Sequence, residues 1–100
     1  MKHIFIVNPT CGKGVKVKKF IPTVEQYIKS HPELDAEVYV TKACGDGMSY
    51  VKKMAQTGEE IRFYACGGDG TLYEVVNGSY EYPNTQVAVI PLGSGNDFVR

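Results

Sequence analysis

The chain has no excess of charge, little cysteine and no long apolar run. Eleven Lys and Arg balance eleven Asp and Glu, for a formal net charge of zero. No overall field therefore draws it to nucleic acid or to an anionic membrane. The three cysteines, Cys11, Cys44 and Cys66, are odd in number and form no C-x-x-C pair. That argues against a disulfide scaffold or a zinc site and suits reduced thiols in a cytoplasmic protein. No apolar stretch approaches the ~18 residues needed to cross a bilayer. The opening run Ile4-Phe5-Ile6-Val7 meets Asn8-Pro9 too soon to be a secretory signal. There is no internal repeat and no low-complexity segment. What is present is an ordinary globular composition, 43% hydrophobic and 22% charged over 100 residues, enough for one small domain with a small core.

The periodicity alternates along the chain. Residues 4–7 are a continuous apolar run, as expected of a strand buried on both faces. After Gly12-Lys13-Gly14, the residues Phe20, Val24, Tyr27 and Ile28 recur at helical spacing over 16–30, with Pro22 predicting an irregular first turn. Residues 36–40 read as a second strand and 41–47 as a loop in which Asp46 is placed to cap the next helix. Met48, Val51, Met54 and Ala55 mark that helix, which Gly58 ends. A third strand at 61–66, a short helix at 72–78, a fourth strand at 86–90 and a further helix opening at 96–98 complete the pattern. The prediction is an α/β fold: an open parallel sheet with helices on both faces, a Rossmann-like three-layer arrangement. A helix that has only begun at Asp97 implies a truncated fold, the N-terminal part of something longer.

Three glycine-bearing turns follow three of these strands: 8–14, 67–71 and 91–96. In a parallel sheet all such turns share one edge, where ligands bind. Glycines there let backbone N–H groups approach an anion, and the following helix adds its positive end. The first turn lacks G-x-x-x-x-G-K-[ST], and no turn reads G-x-G-x-x-G, so neither a P-loop nor a dinucleotide fingerprint is present. The run Gly67-Gly68-Asp69-Gly70-Thr71 is more specific. Three glycines exceed what a tight turn needs. A carboxylate among phosphates is repulsive unless magnesium or a reacting hydroxyl lies between, which makes Asp69 the candidate catalytic residue.

These residues, followed by Glu74-Val75-Val76-Asn77-Gly78, resemble the nucleotide-binding motif of the diacylglycerol kinase catalytic domain family, which includes bacterial lipid kinases and sphingosine kinases. Asn8-Pro9 with Gly12-Lys13-Gly14 is similar to the family's opening Asn-Pro-x-x-Gly-x-Gly. Pro91-Leu92-Gly93-Ser94-Gly95-Asn96-Asp97-Phe98 is similar to its third motif. The three occur in order and span nearly the whole chain.

The resemblance implies that Asn8, Pro9, Thr10, Cys11 and Gly12, together with Gly67, Gly68, Asp69, Gly70 and Thr71, line ATP and its phosphates. It assigns nucleotide contacts to Thr41 and Ser94, and a place near the acceptor or a second domain to Asn96 and Asp97. Glu74 reads either as a residue that orients the glycine turn or as a solvated or capping Glu. Cys11 stands where a small Ser or Ala is usual, and Tyr73 where Asn or His is common. The resemblance also implies ATP and Mg2+ as cofactors, a lipid acceptor, and transient peripheral membrane contact.

On this reading residues 1–100 are the N-terminal nucleotide-binding domain of a two-domain kinase. The second, β-rich domain would carry the lipid pocket, the base and metal ligands. The isolated chain is then expected to be inactive, and its sheet to expose apolar surface that favours homo-oligomers. Rival readings are a soluble-acceptor kinase of the NAD kinase or phosphofructokinase kind, against which the third motif speaks, and a non-catalytic nucleotide-binding module. Lys13, Lys16, Lys18 and Lys19 read as a solvated helix face. His3 and His31 have no partners at metal-ligand spacing, and the seven tyrosines fall where they can pack.

Overall fold

A computed structural model describes residues 1–8, 15–43 and 45–91, with 15–18 and 91 described by their backbone. The elements run β1 (Lys2–Val7), α1 (Val15–Ser30), β2 (Ala36–Val40), α2 (Asp46–Ala55), β3 (Ile61–Gly67), α3 (Asp69–Ser79) and β4 (Thr85–Pro91). All four strands are parallel, in the order β2-β1-β3-β4. The chain leaves β1 toward β2 and returns to the other side of β1 as β3.

Strand alternation divides the side chains between two helical layers. Ile4 and Ile6 of β1 and Ile61, Phe63 and Ala65 of β3 are buried with Val51 of α2 and Val75 of α3. The alternate residues, Val7 and Cys66, are buried on the opposite face with Phe20 and Ile21 of α1 packed against them. The sheet is thus covered by α1 on one side and by α2 and α3 on the other. This confirms the three-layer expectation. The central strand β1 buries residues on both faces, which is why residues 4–7 read as an apolar run without alternation. At β4 the covering is thinner. Val87 and Val89 are 39% and 53% exposed, and Val76 and Tyr80 of α3 are exposed nearby.

Three local expectations are corrected. α1 runs from Val15 to Ser30 with Pro22 as its eighth residue, so Pro22 lies inside the helix rather than in an irregular first turn. Asp46 does not cap α2: Gly45 occupies the cap, with φ +87°, a conformation that glycine adopts at low cost. α3 begins at Asp69, so Asp69, Gly70 and Thr71 form its first turn rather than a loop ahead of it.

The burial of Cys66 has a consequence for alkaline stability. Burial pushes its thiol from the ordinary 9.0 up to about 12. The folded chain keeps the proton where the unfolded chain releases it. The contribution to stability is therefore full below about pH 9 and is lost as the pH rises toward about 12. Urea unfolding near pH 10.5 should show up to about 2 kcal/mol less stability from this group than at neutral pH. Cys66→Ala should remove that part of the slope. An equal pH slope in wild type and variant would refute the assignment.

Candidate functional site

The strand order sets where a ligand crevice lies. Connections diverge at β1 and β3, and in open parallel sheets the crevice opens outside the carboxyl ends of the strands at such a divergence. Val7 pairs with Cys66 on one side and Val40 on the other. The residues that follow these three, Asn8, Gly67 and Thr41, therefore stand in a row along this edge. The Asn8 N–H donates to the Cys66 carbonyl at 3.5 Å, and the Thr41 N–H to the Val7 carbonyl at 2.9 Å.

Gly68 is the N-cap of α3 in extended conformation and supplies no side chain to cap it. The N–H groups of the first turn have no intrahelical acceptor, as at any helix N-terminus. Around Gly68 and Gly70 no atom lies within 4 Å of where a Cβ would be, among the described residues. Asp69 and Gly70 are exposed. Thr71 is only 4% exposed, and its hydroxyl is buried with no hydrogen-bond partner among the described residues. A buried orphan of this kind costs about 1–3 kcal/mol. It falls in the first turn of the helix that opens onto the crevice.

The loop after β2 is closed by two carboxylates. Asp46 accepts the Lys42 N–H at 2.7 Å and the Tyr39 hydroxyl at 2.8 Å. These two bonds, the amide first, hold its carboxyl below the usual range. Glu74, from the second turn of α3, accepts the Gly45 N–H at 3.0 Å. The orienting role implied by the resemblance would aim Glu74 at its own glycine turn, whereas this hydrogen bond goes to the head of α2, in keeping with the capping alternative. The signal available was Gly45-Asp46-Gly47, two glycines bracketing an acid, which marked a close approach.

Of the residues singled out by sequence, Asn8, Thr41, Gly67, Gly68, Asp69, Gly70 and Thr71 are brought to this edge. Pro9, Thr10, Cys11, Gly12, Ser94, Asn96 and Asp97 lie outside the described residues, as do the Lys13 and 91–96 turn assignments beyond Pro91. Among the described residues no group of three His, Cys, Asp or Glu side chains could hold a metal on its own.

With this geometry in hand, comparison with known proteins is decisive. The model of the family described as the diacylglycerol kinase catalytic domain matches residues 2–100. The chain belongs to that family. It is 40% identical over 96 residues to a diacylglycerol kinase of Staphylococcus carnosus, covering 95% of this chain and 30% of that protein. It is 38% identical over 96 residues to a diacylglycerol kinase of Staphylococcus aureus, with the same coverage. A crystal structure of a diacylglycerol kinase from Bacillus anthracis superposes with a TM-score of 0.66 at 32% identity, over 97% of this chain and 35% of that one. This diacylglycerol kinase family domain thus spans about a third of the length of the relatives it matches. No helix among its described residues is long and apolar enough to cross a membrane.

Proposed function

We propose that this domain is the ATP-binding part of a lipid kinase that transfers the γ-phosphoryl group of ATP to a lipid hydroxyl. The observation that carries the reading is the N-terminus of α3, which has no side-chain cap among the described residues and stands at the β1/β3 divergence. N–H groups of residues 69–71 would donate to the phosphate oxygens of an anionic ligand, and the helix would add its positive end. The absence of Cβ atoms at Gly68 and Gly70 leaves the approach open. Thr41 and Asn8, from the neighbouring strand ends, would line the nucleotide beside them.

Magnesium fits this site only in part. It takes one or two protein carboxylates and completes its shell with phosphate oxygens and water. Asp69, exposed at the head of α3, would be the holder this chain supplies. When bound, the ion would neutralise phosphate charge. The lipid hydroxyl oxygen forms a bond to the γ-phosphorus as the bond to the β–γ bridging oxygen breaks, and ADP leaves. The domain's part is positioning and charge stabilisation of that transfer. The base and lipid pocket belong, in this proposal, to a second domain outside residues 1–100, and contact with the bilayer is transient and peripheral.

Calorimetry of ATP binding with and without Mg2+ tests the reading. Binding should be strengthened by Mg2+. Asp69→Ala should lose that enhancement, with affinity in Mg2+ falling about tenfold. Its thermal midpoint should fall by no more than about 4–8 °C, because an exposed acid in the first turn of a helix contributes only about 0.3–1 kcal/mol. An unchanged Mg2+ effect in Asp69→Ala would remove Asp69 from the site. A folded wild type that binds no ATP would overturn the role given to this chain.

A further inference from the structure

Glu74 makes its hydrogen bond outside its own helix. α2 begins with a glycine cap and has no side-chain cap of its own. The acceptor that an N3 Glu of a capping box would offer the cap's own N–H comes instead from α3: the Glu74 Oε2 accepts the Gly45 N–H at 3.0 Å. The other carboxylate oxygen lies over Gly47. A Cβ built there would sit 2.7 Å from Glu74 Oε1, 3.3 Å from Thr41 Cγ2 and 3.4 Å from Ile6 Cγ2. The carboxylate of α3, the buried Thr41 side chain and the β1 core therefore converge on one glycine in the first turn of α2. The negative charge of Glu74 also lies at the positive end of that helix.

We infer that Glu74 is a positioning residue: it latches the loop 41–47 to α3, and through it fixes Thr41 relative to the 67–71 turn. Both turns are thereby held by one side chain. The first part stands on geometry alone. The consequence for nucleotide binding rests on the function proposed above, in which Thr41 and the α3 N-terminus serve the same ligand. Asp46 closes the loop on itself, through Lys42 and Tyr39. Both bonds stay on the β2 side of the loop, so they cannot replace the latch. Gly47 is part of the device, because any side chain there would meet Glu74 and Thr41 together.

The test compares Glu74→Ala and Glu74→Gln in the chain, by amide hydrogen exchange and by ATP titration. Glutamine keeps an oxygen that can accept the Gly45 N–H, and alanine does not. In Glu74→Ala, exchange at Gly45 and its neighbours in 41–47 should speed up at least about tenfold, the factor that corresponds to losing one hydrogen bond of ordinary net strength. Exchange in β1 and β3 should speed up less. Glu74→Gln should restore most of the protection. ATP affinity should follow the same order, with Glu74→Ala about tenfold weaker. A uniform rise in exchange across the whole domain, with no excess at 41–47, would mean a merely structural role and overturn the latch. So would a local rise with unchanged ATP affinity in Glu74→Ala, since Thr41 would then not depend on it. If wild type binds no ATP, the nucleotide reading fails, while the exchange pattern still decides whether Glu74 holds the loop.

Discussion

Gly68→Val should abolish ATP binding while leaving the domain folded. Gly68 has φ −98° and ψ −160°, an extended conformation that valine favours, and nothing lies within 4 Å of its would-be Cβ among the described residues. The substitution therefore meets no steric objection from the fold. Replacing a glycine in a compatible conformation also restricts the unfolded chain, a gain of roughly 0.4–1 kcal/mol that the poorer fit of valine at a helix N-cap offsets. The same open space is where the proposed phosphates approach the first turn of α3. A branched side chain at the cap would occupy it and screen the N–H groups behind. The expected result is a calorimetric titration with no measurable heat of ATP binding, from a folded protein whose thermal midpoint stays near that of wild type. Retained binding would show that the phosphates do not pass Gly68. Lost binding with an unfolded protein would contradict the open geometry at this position.

Gly78→Val should produce the opposite pattern, a large loss of stability. Gly78 lies in the last turns of α3, where α3 crosses α2 at close range. A Cβ there would sit 2.7 Å from the Met48 carbonyl oxygen and 3.0 Å from both Cβ and Cγ1 of Val51. The first of these is backbone inside α2, which cannot rotate aside, and the second is a fully buried β-branched side chain. α2 would have to shift away, opening the core it shares with Ile6 and Phe63. Overpacking of this kind costs typically 1–3 kcal/mol, and the backbone obstacle places the expected value at about 3 kcal/mol. That is a large share of the roughly 5–15 kcal/mol by which domains of this size are stable. Urea unfolding measures it directly. Gly70→Ala is the matched control in the same helix, since nothing lies near its would-be Cβ. It should be neutral or slightly stabilising, because alanine favours a helix by roughly 1 kcal/mol over glycine. Equal effects at positions 70 and 78 would refute the close-approach account.

Much of this architecture was legible because its signals are local. The apolar run at β1, the helical spacing of Val51 and Met54, and the glycine punctuation near residues 58 and 67 each follow from the pattern of one element. The run Gly67-Gly68-Asp69-Gly70-Thr71 stood out because three glycines and an acid have no common purpose in an ordinary turn. The errors were also local in kind. Pro22 is expected in an irregular first turn of α1, but the helix of 16 residues begins seven residues before it. Asp46 has the composition of a cap, yet the glycine before it takes that position. Its carboxylate instead folds the loop back onto Tyr39 and Lys42. Choices of this sort turn on which of several short-range partners a side chain meets, and composition does not rank them.

By itself the sequence determined the class of the fold, the order of its elements and the family, because these depend on periodicities and motifs that are contiguous in the chain. Only the tertiary structure decided which strand ends stand together. The order β2-β1-β3-β4 sets Thr41, Asn8 and Gly67 side by side although they are far apart in sequence. It also sent Glu74 across to Gly45, a partner 29 residues away, and brought Gly78 against Met48. Each of those contacts requires two helices packed on the same face of one sheet. That arrangement arises from burying Val51 and Val75 on the same strands, and no local pattern in either helix names the other.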